Sequence, residues 1–495
     1  MKTMHKILLF TSLSISLLFI GACSGKAKNR AAFEATSSLI ASNPNIVAFG
    51  HVNANGILTK TGYKSIPKVN VLLESILSKW KGGIAIDKPV YFAVEAPFDS
   101  NGNPKTVYAM MDLNSQDSLK SVLAEMGYSM EKDGEISYFQ ENDLTFGMRN
   151  NLLVFISRGG AYDGKALIKE AFEATEGDLA EGKTNQILTQ QGDLVAGVSV
   201  ERLFKTSNTD LSKIDDAKKK ELEDLTADAY TQHVLRFEKG KLSFETKHLF
   251  SEQLKDVLFF KDKNGTTLTK NLAGGEAWAG FAMNLDLRKT EDFLSKYMPE
   301  TRKELIQNLP EEIRFALLGL GDHPLAKLFT GQLGAVTTGD AKSAMGMEFQ
   351  FSAFLGLGQQ GDMVKGIVDE QLSSIATKSG NTFVLGETTK VETSNSAIRV
   401  NSSPLNSPAK TPSYIQKFGE DSFSFFIAFD KIDVASLELD DEYKVVEILK
   451  YLSFHLDRDG SQFIIEAKKN DKNILNQISD FYTNSLMEKI GGMGI

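Results

Sequence analysis

The sequence predicts an α+β protein made of two tandem, related domains, each a mostly antiparallel sheet with helices packed on it. Three observations carry that expectation. Short apolar runs of strand length alternate with segments whose apolar residues recur every three or four positions. Several runs are joined by tight polar turns, which connect antiparallel neighbours, where parallel strands would need crossover helices. One series of elements also returns roughly 230 positions later. At 495 residues the chain exceeds what one hydrophobic core supports. Its 42% hydrophobic and 24% charged residues, with 32 Phe against 11 Pro, are those of a folded chain and exclude general disorder.

The first thirty residues have the parts of an export signal. Lys2 and Lys6 form a positive n-region, Ile7 to Ile20 an apolar run, and Ile20-Gly21-Ala22 sets small residues before Cys23. The pattern resembles a bacterial lipobox. That resemblance implies a diacylglyceryl group on the Cys23 thiolate, cleavage between Ala22 and Cys23, and acylation of the new amine. The apolar run has 14 positions, whereas a spanning helix needs about 20. Cys23 is the one cysteine, so the chain forms no internal disulfide, and lipidation would consume an otherwise reactive thiol. Acyl chains contribute about 0.8 kcal/mol per buried methylene, so two or three make a stable anchor. Cleavage removes residues 1–22 and leaves 473.

Residues 23–43 read as a lipidated tether. Ser24 is not the Asp of the enterobacterial inner-membrane retention signal. Lys26, Lys28 and Arg30 stand where surface-exported Bacteroidetes lipoproteins carry acidic residues. Similarity to those sorting rules implies an outer-membrane lipoprotein facing the periplasm, with the lipid bilayer as its partner through acylated Cys23. Basic residues beside anionic headgroups would hold the tether close. The formal charge of −9 becomes −11 once Lys2 and Lys6 are removed. Such a body repels nucleic acid and anionic lipid, so no nucleic-acid partner is expected and only the tether should touch the membrane.

Beyond the tether, Pro44 introduces a strand over 45–53, with Ile46, Val47, Ala48, Phe49 and Val52 as its apolar residues. A helix over 68–80 spaces Val69, Leu72, Ile76 and Trp80 for one apolar face. Strands over 89–95 and 106–113 flank an Asn101-Gly102 hairpin signal. A helix over 117–126 buries Leu119, Val122, Leu123 and Met126 and ends at Gly127. Strands over 136–140, 144–148 and 152–157 precede a helix over 165–174.

This scheme repeats. The strand over 46–53 recurs as LVAGVSVE (194–201), AWAGFAMN (277–284) and SFSFFIAFD (422–430). Asn53 to Asn284 spans 231 positions and Glu201 to Asp430 spans 229. A hairpin follows in each half, turning at Lys239-Gly240 and at Asp459-Gly460. Two domains are therefore expected over 44–262 and 276–495, with residues 263–275 as linker, where Lys263-Asn264-Gly265 and Gly274-Gly275 stand.

The stretch NPNIVAFGHVNANGILTKTGY, then GGIAIDKPVYFAVE, then ISYFQENDLTFGMRNNLLVFIS, resembles lipoproteins of unknown function found in Bacteroidetes. Those also begin with a lipobox, a Pro-led strand, a helix and an I-D-x-P-V-Y strand. The similarity covers most of the first half and, more weakly, the second. It implies a fold and a location, and no activity.

The motif matches favour ordinary explanations. Gly177 to Thr184 fits GxxxxGK[ST], but a helix precedes it where a P-loop needs a strand, and Glu176, Asp178 and Glu181 would repel phosphate. Gly159 to Lys165 has the strand but ends on Ala166 where a hydroxyl would hold magnesium. Gly356 to Gly361 copies a dinucleotide fingerprint, yet Met347, Phe349, Phe351 and Ala353 alternate with Glu348, Gln350 and Ser352, as in an antiparallel strand with one wet face. There is no GxSxG or HExxH. Ser78 and Ser129 begin S-x-x-K matches and Lys60-Thr61-Gly62 spells K-T-G, in the wrong order for penicillin-binding enzymes. His51, His233, His248, His323 and His455 stand apart from one another, so no local metal pair forms. Asp99, Asn101 and Asn103 start a calcium-loop pattern that Pro104 and Met110 break.

No catalytic residue, metal site, nucleotide site or cofactor is therefore expected. The sequence points to a membrane-anchored envelope lipoprotein that acts as a non-enzymatic binding or scaffold protein for an envelope protein or polymer. Two other classes stay open: a carrier holding an apolar ligand among the many Phe, and an envelope hydrolase whose site is assembled from distant residues.

Overall fold

The computed structural model describes residues 31–99, 102–141, 144–159, 162–174, 177–206, 215–261, 268–339, 350–402, 408–433, 440 and 443–492. The signal, Cys23, Lys26, Lys28 and Arg30 lie outside the described residues, as do Asn101, Glu176, Lys263 to Gly265 and Met347 to Phe349.

Helix α1 (Ala31–Ser42) lies flush on a sheet because its small residues Ala32, Ala35, Ser37 and Ser38 are buried beside Phe33, Leu39 and Ile40. After β1 (Ile46–Val52), Asn53 caps α2 (Ala54–Lys60) by accepting a hydrogen bond from Gly56 N. Pro67 opens α3 (Pro67–Lys81), where its missing N–H would be unpaired anyway. Strands β2 (Val90–Phe98) and β3 (Pro104–Asp112) pair as a hairpin. Ser115 caps α4 (Gln116–Glu125), and Gly127 ends that turn in the left-handed region at φ 86°. A meander follows: β4 (Glu131–Asp133), β5 (Ile136–Glu141), β6 (Leu144–Arg149) and β7 (Leu152–Arg158). Next come α5 (Gly164–Ala174), α6 (Gly182–Leu188), β8 (Leu194–Ser199), α7 (Val200–Thr206) and α8 (Asp216–Thr226). The hairpin β9 (Tyr230–Glu238) and β10 (Lys241–Leu249) closes the series.

A second series begins with α9 (Glu252–Val257) and β11 (Ala277–Asn284). Four helices follow, α10 (Leu287–Tyr297), α11 (Pro299–Gln307), α12 (Glu311–Leu318) and α13 (Pro324–Leu328). Then come β12 (Phe329–Thr338), β13 (Gln350–Leu357), α14 (Gly361–Ser373), β14 (Thr377–Ser379), β15 (Thr382–Leu385), β16 (Thr389–Thr393) and β17 (Ala397–Ser402). The chain ends with β18 (Phe423–Ala428), β19 (Leu449–Asp457), β20 (Gly460–Ala467) and α15 (Ile474–Gly492).

The chain divides into two units. One comprises Met1–Leu211, Thr226–Leu249 and Asn470–Ile495, the other Ser212–Leu225 and Phe250–Lys469. The first has the strand order β10-β9-β8-β1-β2-β3-β7-β6-β5-β4. The second has β20-β19-β18-β11-β12-β13-β17-β16-β15-β14, with every pair in both antiparallel. The correspondence reaches the register. A bulge lies between Ile46 and Ala48 of β1 and between Ala277 and Ala279 of β11. Gly50 faces Phe92 and Ala196, as Phe281 faces Ala335 and Phe425. Asn53 N donates to Asp193 O at 2.7 Å, as Asn284 N donates to Ser422 O at 2.8 Å. The architecture is two related α+β units.

In the first unit, successive residues of a strand point to opposite faces. Met110, Val154 and Ile156 meet α1, α5 and α6 on one face, while Met111, Leu153 and Phe146 meet α3 and α4 on the other. Both faces are covered here, so β7 (LLVFISR) reads as nearly continuous apolar sequence.

Several expectations meet a different arrangement. Residues 31–42, expected as part of the tether, form α1, whose small and apolar side chains are buried in the first unit's core. Of the segment 263–275, residues Leu268–Asn271 form a 3-10 turn, Leu272 is buried in the second unit's core, and Ala273 N donates to Ser352 Oγ at 2.9 Å. That core has no counterpart of α1 among the described residues; Leu272, Ala409, Ile415 and Phe418 cover it instead. The segment Asn470–Ile495, expected with the second domain, packs with the first unit. The last hairpin turns at Arg458-Asp459, because Asp457 pairs with Gly460.

Candidate functional site

Helix α3 carries two apolar stripes, and only one of them is packed. Leu77 is 4% exposed and joins Leu73 and Trp80 against the core under α4. Val69, Leu72 and Ile76, which share the expected stripe, face solvent; Leu72 is 62% exposed and neighbouring Val71 is 71% exposed. The sequence spacing therefore marked a real face but placed it wrongly: Trp80 belongs to the buried stripe.

Charge around this helix differs from that of the chain. Residues 54–83 hold five lysines and one acidic residue, Glu74. Tyr63 Oη donates to Glu74 at 2.8 Å, and Lys81 and Lys64 stand 3.2 and 3.9 Å from its carboxylate. The bonds from Tyr63 and Lys81 hold that carboxyl below its ordinary range, and burial together with Glu74 pushes the Tyr63 phenol up to about 12. Glu74 is thus neutralised locally, and Lys79 remains exposed at the end of the helix.

The start of α1 lies close to the end of α3. Asp112, buried at the end of β3, accepts a hydrogen bond from Ala32 N at 3.1 Å and pairs with Lys88 at 3.2 Å. Its carbonyl accepts from Ala85 N at 2.9 Å, and Ile84 bridges to Leu113. The last turn of α3 runs straight into this junction, since Lys81 is followed by Gly82, Gly83 and Ile84.

Beneath α3 the sheet leaves an apolar void of about 20 Å³, bordered by Trp80, Leu119, Phe146 and Phe155. Ligand chambers measure about 300–1,000 Å³, so this space is a packing gap. The second unit exposes apolar side chains at the corresponding place, between its first two central strands. There Phe315 and Leu318 of α12 are 65% and 80% exposed, and Met298 and Leu305 in the preceding segment are exposed as well.

The motif residues are occupied otherwise. Lys183 Nζ donates to Asp228 O at 2.6 Å and pairs with its carboxylate at 3.0 Å, while the Thr184 hydroxyl is buried toward Tyr230. Ser38 Oγ donates to Gly177 O, and Ala180 N donates to Ser37 Oγ, which ties the loop to α1. Helix α5 precedes this loop, as expected, and the open depression of about 690 Å³ beside it is bordered by Asp178 and Glu181. The Gly356–Gly361 stretch begins in the last two residues of β13, an antiparallel strand as expected; Gly358 is needed because a Cβ there would lie 2.4 Å from Lys327 O. Asp99 accepts hydrogen bonds from Asn103 in a turn. Lys60 pairs at 2.6 Å with Asp193, whose carboxylate also accepts from Phe237 N.

His233 and His248 come near enough on the β9–β10 hairpin to interact electrostatically, and the other histidines have separate partners. His51 Nε2 lies 3.1 Å from Gln190 O, and burial lowers its pKa against the opposing pull of that hydrogen bond. His233 sits between Thr231 and Thr246, its pKa lowered chiefly by burial. His323 contacts Asp292 at 2.7 Å. His455 Nδ1 lies 3.1 Å from the buried Asp421 carboxylate without hydrogen-bond alignment, and its Nε2 lies 3.1 Å from Gln462. No sequence spacing announced that last pair. The nearby hydroxyls are engaged: Ser424 Oγ accepts from Gly419 N and Ser422 Oγ from Lys261 N. Among the described residues no group of three or more His, Cys, Asp or Glu is placed to hold a metal ion.

Among the described residues no helix is long and apolar enough to cross a membrane. No family model and no curated protein matches the chain. A solved structure titled "Structure of crystal form I of TP0453" aligns with a TM-score of 0.26 and 9% identity, over 46% of this chain and 81% of that one. A similarity at that level carries no conclusion about fold or function.

Proposed function

We propose that the chain is a membrane-anchored envelope lipoprotein that works as a non-enzymatic binding or scaffold protein. The observation that supports this reading is the exposure of Phe315 and Leu318 on α12. Large apolar side chains grouped on a surface mark interaction sites. The lipobox around Cys23 supplies the anchor, and the expected partner is an envelope protein with an apolar docking surface. Purification from detergent-solubilised native membranes tests this with the wild type and with Phe315→Glu/Leu318→Glu. The wild type should retain one defined partner through two successive columns, and the variant should lose it while keeping its circular dichroism spectrum. A wild type that purifies alone, or a variant that keeps the partner, would overturn the proposal. Incorporation of labelled palmitate into the wild type and not into Cys23→Ser checks the anchor separately.

A further inference from the structure

We propose that the exposed stripe of α3 is a second membrane contact, lying in the headgroup region of the bilayer that holds the lipid tether. The inference rests on the anchored-lipoprotein reading and adds to it the surface of the folded body that meets the membrane.

Three observations converge on the bilayer as the occupant. The first is the stripe itself: Val69, Leu72 and Ile76 recur at three and four positions on the solvent side of a 15-residue helix. An interfacial helix has this form, with an apolar side and lysines beside it. The second is charge. The chain as a whole carries 55 basic against 64 acidic residues, yet residues 54–83 carry five lysines and one glutamate. That glutamate is paired with Lys64 and Lys81, and Lys60 with the buried Asp193, so five lysines against two carboxylates leave a local positive sign that complements anionic headgroups. The expectation that only the tether meets the membrane followed from the overall charge, and the sign reverses here.

The third observation is reach. Residues 23–30 separate the lipidated cysteine from α1, and eight residues span at most about 28 Å. Helix α1 begins beside Asp112, which also binds Lys88 and Ala85 just beyond the end of α3. Helix α1 itself packs on the opposite face of the sheet from α3, so the tether reaches past this junction to the last turn of α3, and the helix, about 22 Å long in all, runs on from there. A protein partner would need no such nearness to the anchor, and the positive sign selects an anionic surface.

The lipidated chain provides its own test. Lipidation consumes the Cys23 thiol, so Leu72→Cys would introduce the single free thiol for an environment-sensitive fluorophore, with Glu173→Cys on α5 as the control on the other face of the sheet. On vesicles of phosphatidylethanolamine and phosphatidylglycerol, the label at 72 should shift to the blue and be quenched by shallow spin-labelled lipids, and the label at 173 should do neither. Unlipidated Cys23→Ser should float with these vesicles and not with phosphatidylcholine, and Leu72→Glu/Ile76→Glu should reduce the floated fraction at least tenfold. A lipidated chain whose label at 72 stays in water on the vesicles would overturn the inference and leave the anchor standing. Embedding at 72 in a chain that takes up no palmitate would do the reverse. A blue shift that depends on protein concentration without vesicles would assign the stripe to a second copy of the chain and overturn the inference.

Discussion

The two stripes of α3 make a sharp comparison, because leucines five residues apart in one helix should respond oppositely to the same truncation. Leu77 is 4% exposed within the core of α3, α4 and the sheet. Leu77→Ala removes its transfer free energy and leaves a cavity that the surroundings fill only in part, a loss of about 3 kcal/mol. Leu72 is 62% exposed, and Leu72→Ala should stay within about 0.5 kcal/mol of the wild type. With a urea slope of about 2 kcal/mol per molar, the first change moves the midpoint down by about 1.5 M and the second leaves it nearly in place. The assay is local: the chain has two tryptophans, Trp80 in the first unit and Trp278 in the second. In a Trp278→Phe background, Trp80 fluorescence therefore reports on the first unit. Equal losses for Leu72→Ala and Leu77→Ala would show that the helix packs both stripes, and the membrane inference would lose its surface.

Three further outcomes are expected. Burial lowers the His51 and His233 pKa values below the ordinary 6.5, so the unfolded chain binds more protons just below that pH. The stability from their neutral forms is full above about pH 6.5 and falls as pH drops toward the folded values, by up to about 1.4 kcal/mol per pH unit for each. Urea midpoints of the first unit at pH 7.5 and 5.5 should show this loss, reduced in His51→Phe; equal losses in both would remove His51 as a source. Cutting a protease site inserted within 262–267 should give two fragments that co-elute, because Asn473 donates to Phe237 O at 2.8 Å and Asn476 to Thr61 O at 3.1 Å. Fragments that separate freely under native conditions would show that the C-terminal segment does not bind the first unit. Calorimetry with ATP and magnesium should give no saturable heat for the wild type or Lys183→Ala, since Asp228 already holds that lysine; micromolar binding lost in the variant would reverse the reading of this loop.

Much of the fold was legible because strands and hairpins are encoded locally. The apolar runs at 46–53, 277–284 and 422–430 are interior strands of the two sheets, as β1, β11 and β18. The spacings of 231 positions from 46–53 to 277–284 and 229 from 194–201 to 422–430 are the offsets that relate the paired residues of one unit to those of the other. Gly127 and Lys239-Gly240 mark their turns for equally local reasons, a left-handed backbone and a two-residue hairpin. The candidate surface was half legible: the lysines and the excess of apolar positions between 67 and 81 were visible, but their orientation was not.

By itself the sequence determined the α+β class, the antiparallel hairpins and the long repeat, because periods of two and three to four residues, and turn chemistry, act over a few neighbours. The resemblance of the residues up to Cys23 to a lipobox is local for the same reason. Only the tertiary structure decided that Leu73, Leu77 and Trp80 face the core while Leu72 faces out, since a period shows which residues share a face and not which face finds a partner. It decided that Leu272 closes the second core instead of lying in a linker, and that Asn470–Ile495 returns to the first unit. It brought His455 to Asp421 as well, 34 positions apart in the chain. Each of these depends on apolar area that must be covered, or on strand register, between residues far apart in sequence, and no local pattern carries that information.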